Sequence, residues 1–314
     1  MGKVCFGIDV GGTTVKMGLF TTEAKLIDSI EIPTRKEDDG SFILPDICAA
    51  IEAKIVERQI TREELIGVGI GIPGPITKDG TVLSCVNLGW GMFNVEEKLS
   101  QMLGGIVVKA GNDANVAALG ETWQGGGRGF EDLILVTLGT GVGGGVIIGG
   151  KIVSGSNGAA GEIGHIPAVF GEDAELCGCG KMGCLETVGS ATGIVREAKK
   201  LLSKSNEDSK LRTIEELTCK AIFDAAKEND KLALEVVDKL AYYLGKSIAG
   251  IAAVTNPQVI VIGGGVSKAG KFLLDKIEEN FLKNAFHATK NAKFALATLG
   301  NDAGMYGAAA LILD

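Results

Sequence analysis

The chain has 314 residues, with 39 acidic and 31 basic side chains, a formal charge of −8 and a pI near 5.1. Its length allows two domains, because single hydrophobic cores stop growing near ~250–300 residues. The acidic balance gives no global attraction to nucleic acid or to an anionic membrane surface, so we expect a cytoplasmic protein that acts on small molecules.

The numbers and positions of glycine and cysteine residues further restrict the class of protein to which the chain can belong. Glycine supplies 47 residues, in short clusters without a three-residue period, which excludes collagen and predicts many tight turns. The seven cysteines form an odd set with no secretory signal before them, which favours a reducing compartment over a disulfide framework. The uncharged stretch 133–150 approaches the length of a membrane span, but its glycines favour two strands and a turn.

The first half of the chain predicts alternating strands and helices. Strands are expected over 4–8, 15–20, 26–32, 65–72 and 106–110, and helices over 42–60, 95–103 and 113–122. A glycine turn over 9–14 joins the first two strands. Asn112 and Asp113 are both good caps for the helix that follows them.

The second half begins with a copy of the opening pattern. Strands are expected over 133–138, 146–148 and 151–153, around a glycine turn over 139–145. Helices then follow over 191–202, 214–227, 232–253, 269–281 and 303–313, with strands over 259–262 and 293–299. The repeated strand–turn–strand pattern indicates a duplicated α/β domain.

A metal site is the strongest local signal. Cys177, Cys179 and Cys184 lie close together in the chain, and His165 precedes them by twelve positions. Three thiolates and one imidazole would fill all four positions of a tetrahedral zinc ion, so a structural role is expected. The alternative is an ordinary loop histidine beside small buried or redox-active cysteines.

The glycine turns are candidates for holding phosphate. The pattern G-x-G-x-x-G occurs at 69–74 and 139–144, but neither copy leads from a strand into a helix, so a nicotinamide enzyme is disfavoured. The two strand–turn–strand loops instead expose backbone N–H groups, beside the hydroxyls of Thr13, Thr14 and Thr140. Asp9 could hold Mg²⁺ through water. Each loop alone could be a plain hairpin, and their duplication favours phosphate.

Six short motifs, spread nearly end to end, resemble the ROK family of sugar kinases and repressors in the actin-like ATPase superfamily, most closely its glucokinases. The motifs are 9–16 (DVGGTTVK), 69–74 (GIGIPG), 112–115 (NDAN) with 120–121 (GE), 138–145 (LGTGVGGG), 162–165 (EIGH) and 177–186 (CGCGKMGCLE). The resemblance implies a two-lobed α/β fold with a ribonuclease H-like duplication and a cleft between lobes. The lobes would comprise 1–111 with 300–314, and 112–299 with the zinc motif and the nucleotide-binding segment.

The resemblance also implies ATP-dependent phosphorylation of glucose at its 6-hydroxyl, with ATP, Mg²⁺ and structural Zn²⁺. Asp113 would be the general base. The sugar-binding residues implied are Asn87, Asn112, Asp113, Glu162, His165 and Glu186. The implied nucleotide and magnesium residues are Asp9, Gly11, Gly12, Thr13, Thr14, Lys16, Gly139, Thr140, Gly141, Gly264 and Gly265. The implied zinc ligands are His165, Cys177, Cys179 and Cys184, and the second ring nitrogen of His165 would serve a sugar hydroxyl.

Other interpretations remain open at this point. The residues alone allow Asp113 as a helix cap, Glu162 and Glu186 as surface acids, and 263–267 as a plain strand–helix turn. N-acetylmannosamine, N-acetylglucosamine and fructose are alternative sugars, although Asn-Leu-Gly-Trp at 87–90 resembles the glucokinases. Polyphosphate is an alternative donor. A sugar-responsive repressor is disfavoured, because only eight residues precede Asp9. The family also implies a homodimer or homotetramer.

Overall fold

A computed structural model describes residues 2–313, in which the chain forms two compact units. The first unit comprises the chain up to Glu131, the segment Gly145–Gly161 and the chain from Leu299 onward. The second comprises Asp132–Gly144 and Glu162–Thr298. The domain boundaries expected from the sequence stay a prediction, and the compact units differ from them by grouping 112–131 and 145–161 with the first unit.

The chain contains both strands and helices throughout its length, as expected of an α/β protein. The strands are β1 (Val4–Val10), β2 (Thr14–Thr21), β3 (Leu26–Pro33), β4 (Leu65–Ile72), β5 (Thr81–Val82), β6 (Phe93–Asn94), β7 (Val108–Asn112), β8 (Leu133–Leu138), β9 (Val142–Ile148), β10 (Lys151–Ile152), β11 (Val259–Gly263) and β12 (Lys293–Leu296). The α-helices are α1 (Glu37–Gly40), α2 (Ile43–Arg58), α3 (Val95–Met102), α4 (Asp113–Gln124), α5 (Glu186–Gly189), α6 (Ala191–Lys204), α7 (Cys219–Lys227), α8 (Lys231–Thr255), α9 (Lys271–Asn284) and α10 (Ala303–Leu313). Short 3₁₀ helices span Val86–Leu88, Ile163–His165, Gly171–Asp173, Lys210–Thr213, Gly265–Ala269, His287–Thr289 and Gly300–Asp302.

The strand order repeats, which confirms the predicted duplication. One five-stranded sheet has the order β3-β2-β1-β4-β7, and another has the order β10-β9-β8-β11-β12. In the first sheet β1 is antiparallel to β2 and parallel to β4, and β4 is parallel to β7. In the second, β11 is parallel to both β8 and β12. The fold is therefore α/β with two mixed sheets of the same topology.

The core of the first unit depends on close packing of the closing helix, α10. Its sequence is rich in alanine and glycine, so its backbone lies against β1, β4 and α4. A Cβ at Gly69 would lie 1.7 Å from the Ala308 carbonyl oxygen, and a Cβ at Gly307 would lie 1.7 Å from that of Val116. Only glycine permits these approaches. They bring Gly304 of α10 beside the end of β1, where the candidate site begins.

The core of the second unit surrounds α8, which is buried along much of its length. Leu240, Leu244 and Ile248 of this helix share one apolar cluster with Ile260 and Ile262 of β11. Buried aliphatic side chains at helical spacing against a buried parallel strand are the arrangement that the sequence periodicity predicts. The loops of the second unit extend from this packed layer of helix and strand.

The element boundaries differ from the predicted ones in identifiable ways. Helix α7 begins at Cys219 instead of 214, because the Thr218 hydroxyl accepts the Ala221 N–H and caps it there. Strand β9 begins at Val142, inside the predicted glycine turn, and Gly145 within it lies against α4, where a Cβ would be 2.6 Å from that of Ala118. Strand β12 ends at Leu296. Among residues 2–313, no helix has the length and apolarity needed to cross a membrane.

Candidate active site

The first candidate residues lie at the carboxyl end of β1. Asp9 is followed by a turn in which the Gly11 N–H donates to the Thr14 carbonyl at 2.9 Å. The Thr34 hydroxyl holds the turn from the other side, donating to the Gly11 carbonyl at 2.7 Å. The tip, at Gly12 and Thr13, is exposed, as a phosphate-binding turn requires.

Asp9 occupies an unusual electrostatic position. The pKa of Asp9 is raised to about 6, mainly by burial and then by the negative charge of Asp113, while Lys16 acts in the opposite direction. Lys16 lies directly across the strand pair from Asp9, but its ammonium donates to Asp302 at 3.4 Å. Lys16 is thus already engaged within the first unit, and its predicted contact with nucleotide stays a prediction. A Cβ at Gly304 would lie 2.4 Å from the Asp9 Cγ, so any larger residue there would displace the Asp9 carboxylate.

Asn112 and Asp113 lie where β7 meets α4. The Asn112 Oδ1 accepts the Ala114 and Asn115 N–H groups at 3.1 and 3.2 Å, so Asn112 is the cap of α4. Its Nδ2 donates to the Gly74 carbonyl at 3.1 Å, which leaves the second amide hydrogen for another acceptor. Asp113 is the first residue of the helix and is half-buried, and the helix N-terminus favours its negative charge.

Asn87 lies in the 3₁₀ turn Val86–Leu88 of the first unit. It is exposed, whereas the neighbouring Trp90 is buried and its indole N–H donates to the Gly40 carbonyl at 3.0 Å. The buried indole fixes the turn, so the position of Asn87 does not depend on a bound ligand.

The phosphate turn of the second unit comprises Gly139, Thr140 and Gly141 between β8 and β9. The Gly139 N–H donates to the Gly141 carbonyl at 2.9 Å, which closes the turn. The first residues of α6 hold it from outside: the Ala191 N–H donates to Gly139 at 2.8 Å and the Thr192 hydroxyl donates to Thr140 at 3.0 Å. The turn is fixed in place while Thr140 remains exposed.

A cavity of about 440 Å³ opens beside this turn, within the second unit. It is lined by Gly139, Thr140, Ala191, Cys219, Lys220, Phe223, Asp224, Lys227, Gly265, Val266, Lys268 and Ala269. Gly264 has φ +81°, and a Cβ there would lie 2.4 Å from the Leu138 carbonyl oxygen. The apolar wall and the adjoining basic groups suit a base and its phosphates. The α7 residues were not predicted, because their helical periodicity identifies a buried face without identifying its neighbour.

The predicted zinc ligands come together in the segment 162–186, which we term the zinc segment. Their four ligand atoms lie within 4.8 Å of one another. The His165 Nδ1 is 3.7 Å from the Cys177 Sγ, and the Cys179 and Cys184 sulfurs are 3.6 Å apart. A tetrahedron with Zn–S near ~2.3 Å and Zn–N near ~2.0 Å has edges of roughly 3.5–3.8 Å. The residues therefore fit a structural zinc ion.

The two glutamates of the zinc segment lie on either side of these ligands. Because the His165 Nδ1 faces Cys177, its Nε2 faces outward and is 3.9 Å from the Glu162 carboxylate. The Glu186 Oε2 accepts the Val142 N–H at 3.0 Å, and its Oε1 is 3.6 Å from the Cys177 Sγ. Glu186 thus links the zinc ligands to the phosphate turn, a connection that its spacing in the sequence does not reveal.

Comparison with known proteins adds independent information. The sequence matches the ROK family over residues 5–314. A glucokinase of Halalkalibacterium halodurans is 47% identical over 311 residues, covering 98% of this chain and 94% of that protein. A glucokinase of Thermotoga maritima is 35% identical over 316 residues, covering 98% and 96%. The crystal structure of a ROK family glucokinase from Streptomyces griseus, in complex with glucose and AMPPNP, has 34% identity and a TM-score of 0.74, covering 98% of both chains.

Proposed function

The chain belongs to the ROK family, and from this we propose that it is a glucokinase, which transfers the terminal phosphoryl group of ATP to the 6-hydroxyl of glucose. The observation that carries the proposal is the site at the β7–α4 junction, an amide cap followed by a half-buried carboxylate, in a chain 47% identical to a named glucokinase. Alternative sugars are N-acetylmannosamine, N-acetylglucosamine and fructose.

Asp113 is the general base of the proposed reaction. Its carboxylate accepts the proton of the 6-hydroxyl while that oxygen forms a bond to the terminal phosphorus, and the bond to the leaving ADP oxygen breaks. The Asn112 Oδ1 accepts the Ala114 and Asn115 N–H groups, and the Asp113 Oδ1 also accepts the Ala114 N–H, at 2.8 Å, so both residues contribute to the cap of α4. The capping contact is compatible with the proposed role, since a carboxylate has further lone pairs with which to accept a proton.

The remaining sugar contacts are proposed for groups whose chemistry suits vicinal hydroxyls. Glu162 and Glu186 offer acceptors, the outward nitrogen of His165 offers a donor, and Asn87 and Asn112 offer amides. Zinc, when bound, fixes the ring of His165 through Nδ1 and leaves the other nitrogen for a hydrogen bond. A buried polar group that loses its hydroxyl partner is costly, which lets such a site discriminate against deoxy sugars.

The nucleotide is proposed to use the glycine turns and the 440 Å³ cavity. Backbone N–H groups of the two turns at 12–13 and 140–141 would donate to phosphate oxygens, together with the Thr140 hydroxyl. Mg²⁺, when bound, supplies charge neutralisation, and Asp9 would hold it through water. Within residues 2–313 no hydrogen bond to the Asp9 carboxylate is formed, which leaves it available for that role.

The raised pKa of Asp9 predicts a pH-dependent cost in stability. The folded pKa of about 6 exceeds the ordinary value of 3.8, so the folded state holds the proton more tightly than the unfolded state. The loss in folding stability is absent at pH values below 3.8 and grows as the pH rises between the two pKa values. It is fully present above a pH of about 6. At pH 7.5 the free energy of unfolding of Asp9→Asn, measured by urea denaturation, should therefore exceed that of the wild type by about 1–3 kcal/mol. The difference should be smaller at pH 5. A pH-independent difference would contradict the prediction.

The proposed activity is tested by ADP release with ATP, Mg²⁺ and a panel of glucose, fructose, N-acetylmannosamine and N-acetylglucosamine. We expect glucose to give the highest kcat/KM and glucose 6-phosphate as product. ADP release that does not depend on sugar would point to an ATPase, and sugar binding without turnover would point to a regulator. Replacing ATP by polyphosphate in the same assay defines the donor.

We propose further that the protein forms a homodimer or homotetramer and is cytoplasmic, where ATP and reduced thiols are both available. An apolar groove of about 470 Å³ in the second unit supports association. Phe170 and Val254, at 74% and 87% exposure, lie along it. An exposed aromatic group beside a groove on one surface suits a two-fold interface, in which each copy fills the other's groove. Sedimentation velocity of the native protein measures the assembly.

A further inference from the structure

A row of polar side chains on one face of α6, which we term the α6 stripe, contacts three places in the second unit. These are the phosphate turn, the zinc segment and Thr187, the residue directly after the zinc segment. The stripe comprises Thr192, Arg196 and Lys200, which are four residues apart and therefore lie on one face of the helix. The Thr192 hydroxyl donates to the Thr140 carbonyl at 3.0 Å. The Arg196 guanidinium donates to the Thr187 carbonyl, and the Lys200 ammonium donates to the carboxylate of Glu175. None of the three belongs to the motifs described above.

Of the two residues that Arg196 and Lys200 contact, Thr187 is bonded to the zinc segment and Glu175 lies within it. Thr187 follows Glu186, and its hydroxyl donates to the Cys184 carbonyl at 2.7 Å. Glu175 lies two residues before Cys177, and its carbonyl accepts the Gly183 N–H at 2.8 Å. Movement of α6 would therefore be transmitted to the backbone beside the metal ligands.

A buried carboxylate connects the stripe to the core. Glu197 is 8% exposed, and its Oε2 accepts the Lys239 ammonium of α8 at 2.6 Å. Its Oε1 is 3.5 Å from the Lys200 ammonium. A carboxylate in such a position is costly to bury unless it is paired, so the two lysines and Glu197 are held together. Lys200 is thereby held on one side by Glu197, which is bonded to Lys239 of α8, and on the other side by the carboxylate of Glu175.

We propose that Lys200 is a positioning residue for the sugar side of the site. Through Glu197 it is held to α8, and through Glu175 it sets the place of the zinc segment relative to the phosphate turn. This inference rests on the proposed function, since the zinc segment carries Glu162, His165 and Glu186. Lys200 itself contacts neither sugar nor nucleotide in this proposal.

The test is Lys200→Met, which removes the ammonium and keeps most of the aliphatic length. We expect the KM for glucose to rise roughly 3- to 10-fold, with kcat within about twofold and the KM for ATP unchanged. Zinc transfer to a chromogenic chelator should also become faster. The matched control is Lys199→Met, because Lys199 is exposed and forms no ion pair within the part of the chain that the structure describes. It should behave as the wild type.

A second variant identifies the contact responsible. Glu175→Gln removes the same ion pair from its other end, so the double variant with Lys200→Met should be no worse than either single variant. Lys200→Arg, which keeps the charge, should retain most of the wild-type KM for glucose. If Lys200→Met lacks a cooperative unfolding transition, Glu175→Gln carries the test, since it leaves Lys200 beside the Glu197 carboxylate.

The outcomes separate this inference from the proposed function. A Lys200→Met protein that melts at lower temperature but keeps the wild-type KM for glucose and the wild-type rate of zinc loss would overturn the positioning role. A wild-type protein that does not phosphorylate glucose would instead overturn the proposed function. In that case the rate of zinc loss still decides whether Lys200 holds the zinc segment.

Discussion

Replacing Asp113 by Asn should lower kcat by a factor of about 10²–10⁴, with a modest change in the KM for glucose. The substitution keeps the size and shape of the side chain and removes its negative charge, and with it the ability to accept the proton. Asn112 still caps α4, and the introduced amide keeps an oxygen that can accept the Ala114 N–H, so the helix should form in the variant as in the wild type. Steady-state kinetics with glucose and ATP, together with a thermal melt, measure both expectations.

The control for this substitution is Asp208→Asn, at an exposed position between α6 and α7. It makes the same chemical change away from the candidate site and should leave kcat and the melting temperature near the wild-type values. Near-normal turnover of Asp113→Asn would remove Asp113 from the role of general base. A large fall in melting temperature would instead indicate that the carboxylate is structural.

Loss of the metal is the second change expected to have a large effect. The purified protein should contain about one zinc per chain, measured by a chromogenic chelator after denaturation with a thiol-blocking reagent. Cys184→Ser removes a buried ligand, so the variant should lose the metal. We expect its melting temperature to fall by about 5–15 °C and its KM for glucose to rise, because bound zinc would fix His165 and the backbone beside Glu186.

Cys48→Ser is the matched control, because Cys48 is a buried free thiol on α2 and lies outside the metal cluster. It should lose some stability but keep its zinc and its KM for glucose. Well under one zinc per wild-type chain would exclude a zinc site. Zinc loss in Cys184→Ser with no change in glucose KM would separate the metal from sugar binding and leave it a purely structural role.

The sequence was most informative where structure is local. Strand β4 and helix α10 have the predicted bounds, since continuous apolar runs between turn residues mark buried elements. The repeated strand–turn–strand pattern predicted the duplication that the two sheets confirm. The zinc ligands were also predicted from spacing, because the whole set lies within a single segment and glycines let that segment turn.

Other features needed the tertiary structure. The cavity beside the phosphate turn takes a wall from α7, and the α6 stripe contacts Thr140 and Glu175, whose bonding partners on α6 lie 52 and 25 residues further along the chain. Periodicity predicts that a helix has a buried face, but the choice of neighbour depends on how the helices pack. The raised pKa of Asp9 likewise depends on burial and on a charge more than a hundred residues away.

By itself the sequence determined the α/β class, the duplication, the glycine turns and the grouping of the four candidate metal ligands, because each depends on patterns within short segments of the chain. Only the tertiary structure decided that Gly304 lies against Asp9, that Glu186 joins the Val142 N–H to the neighbourhood of Cys177, and that Glu197 is buried between two lysines. The physical reason is that burial and charge at these groups come from side chains brought together by packing, and local sequence pattern does not specify those partners.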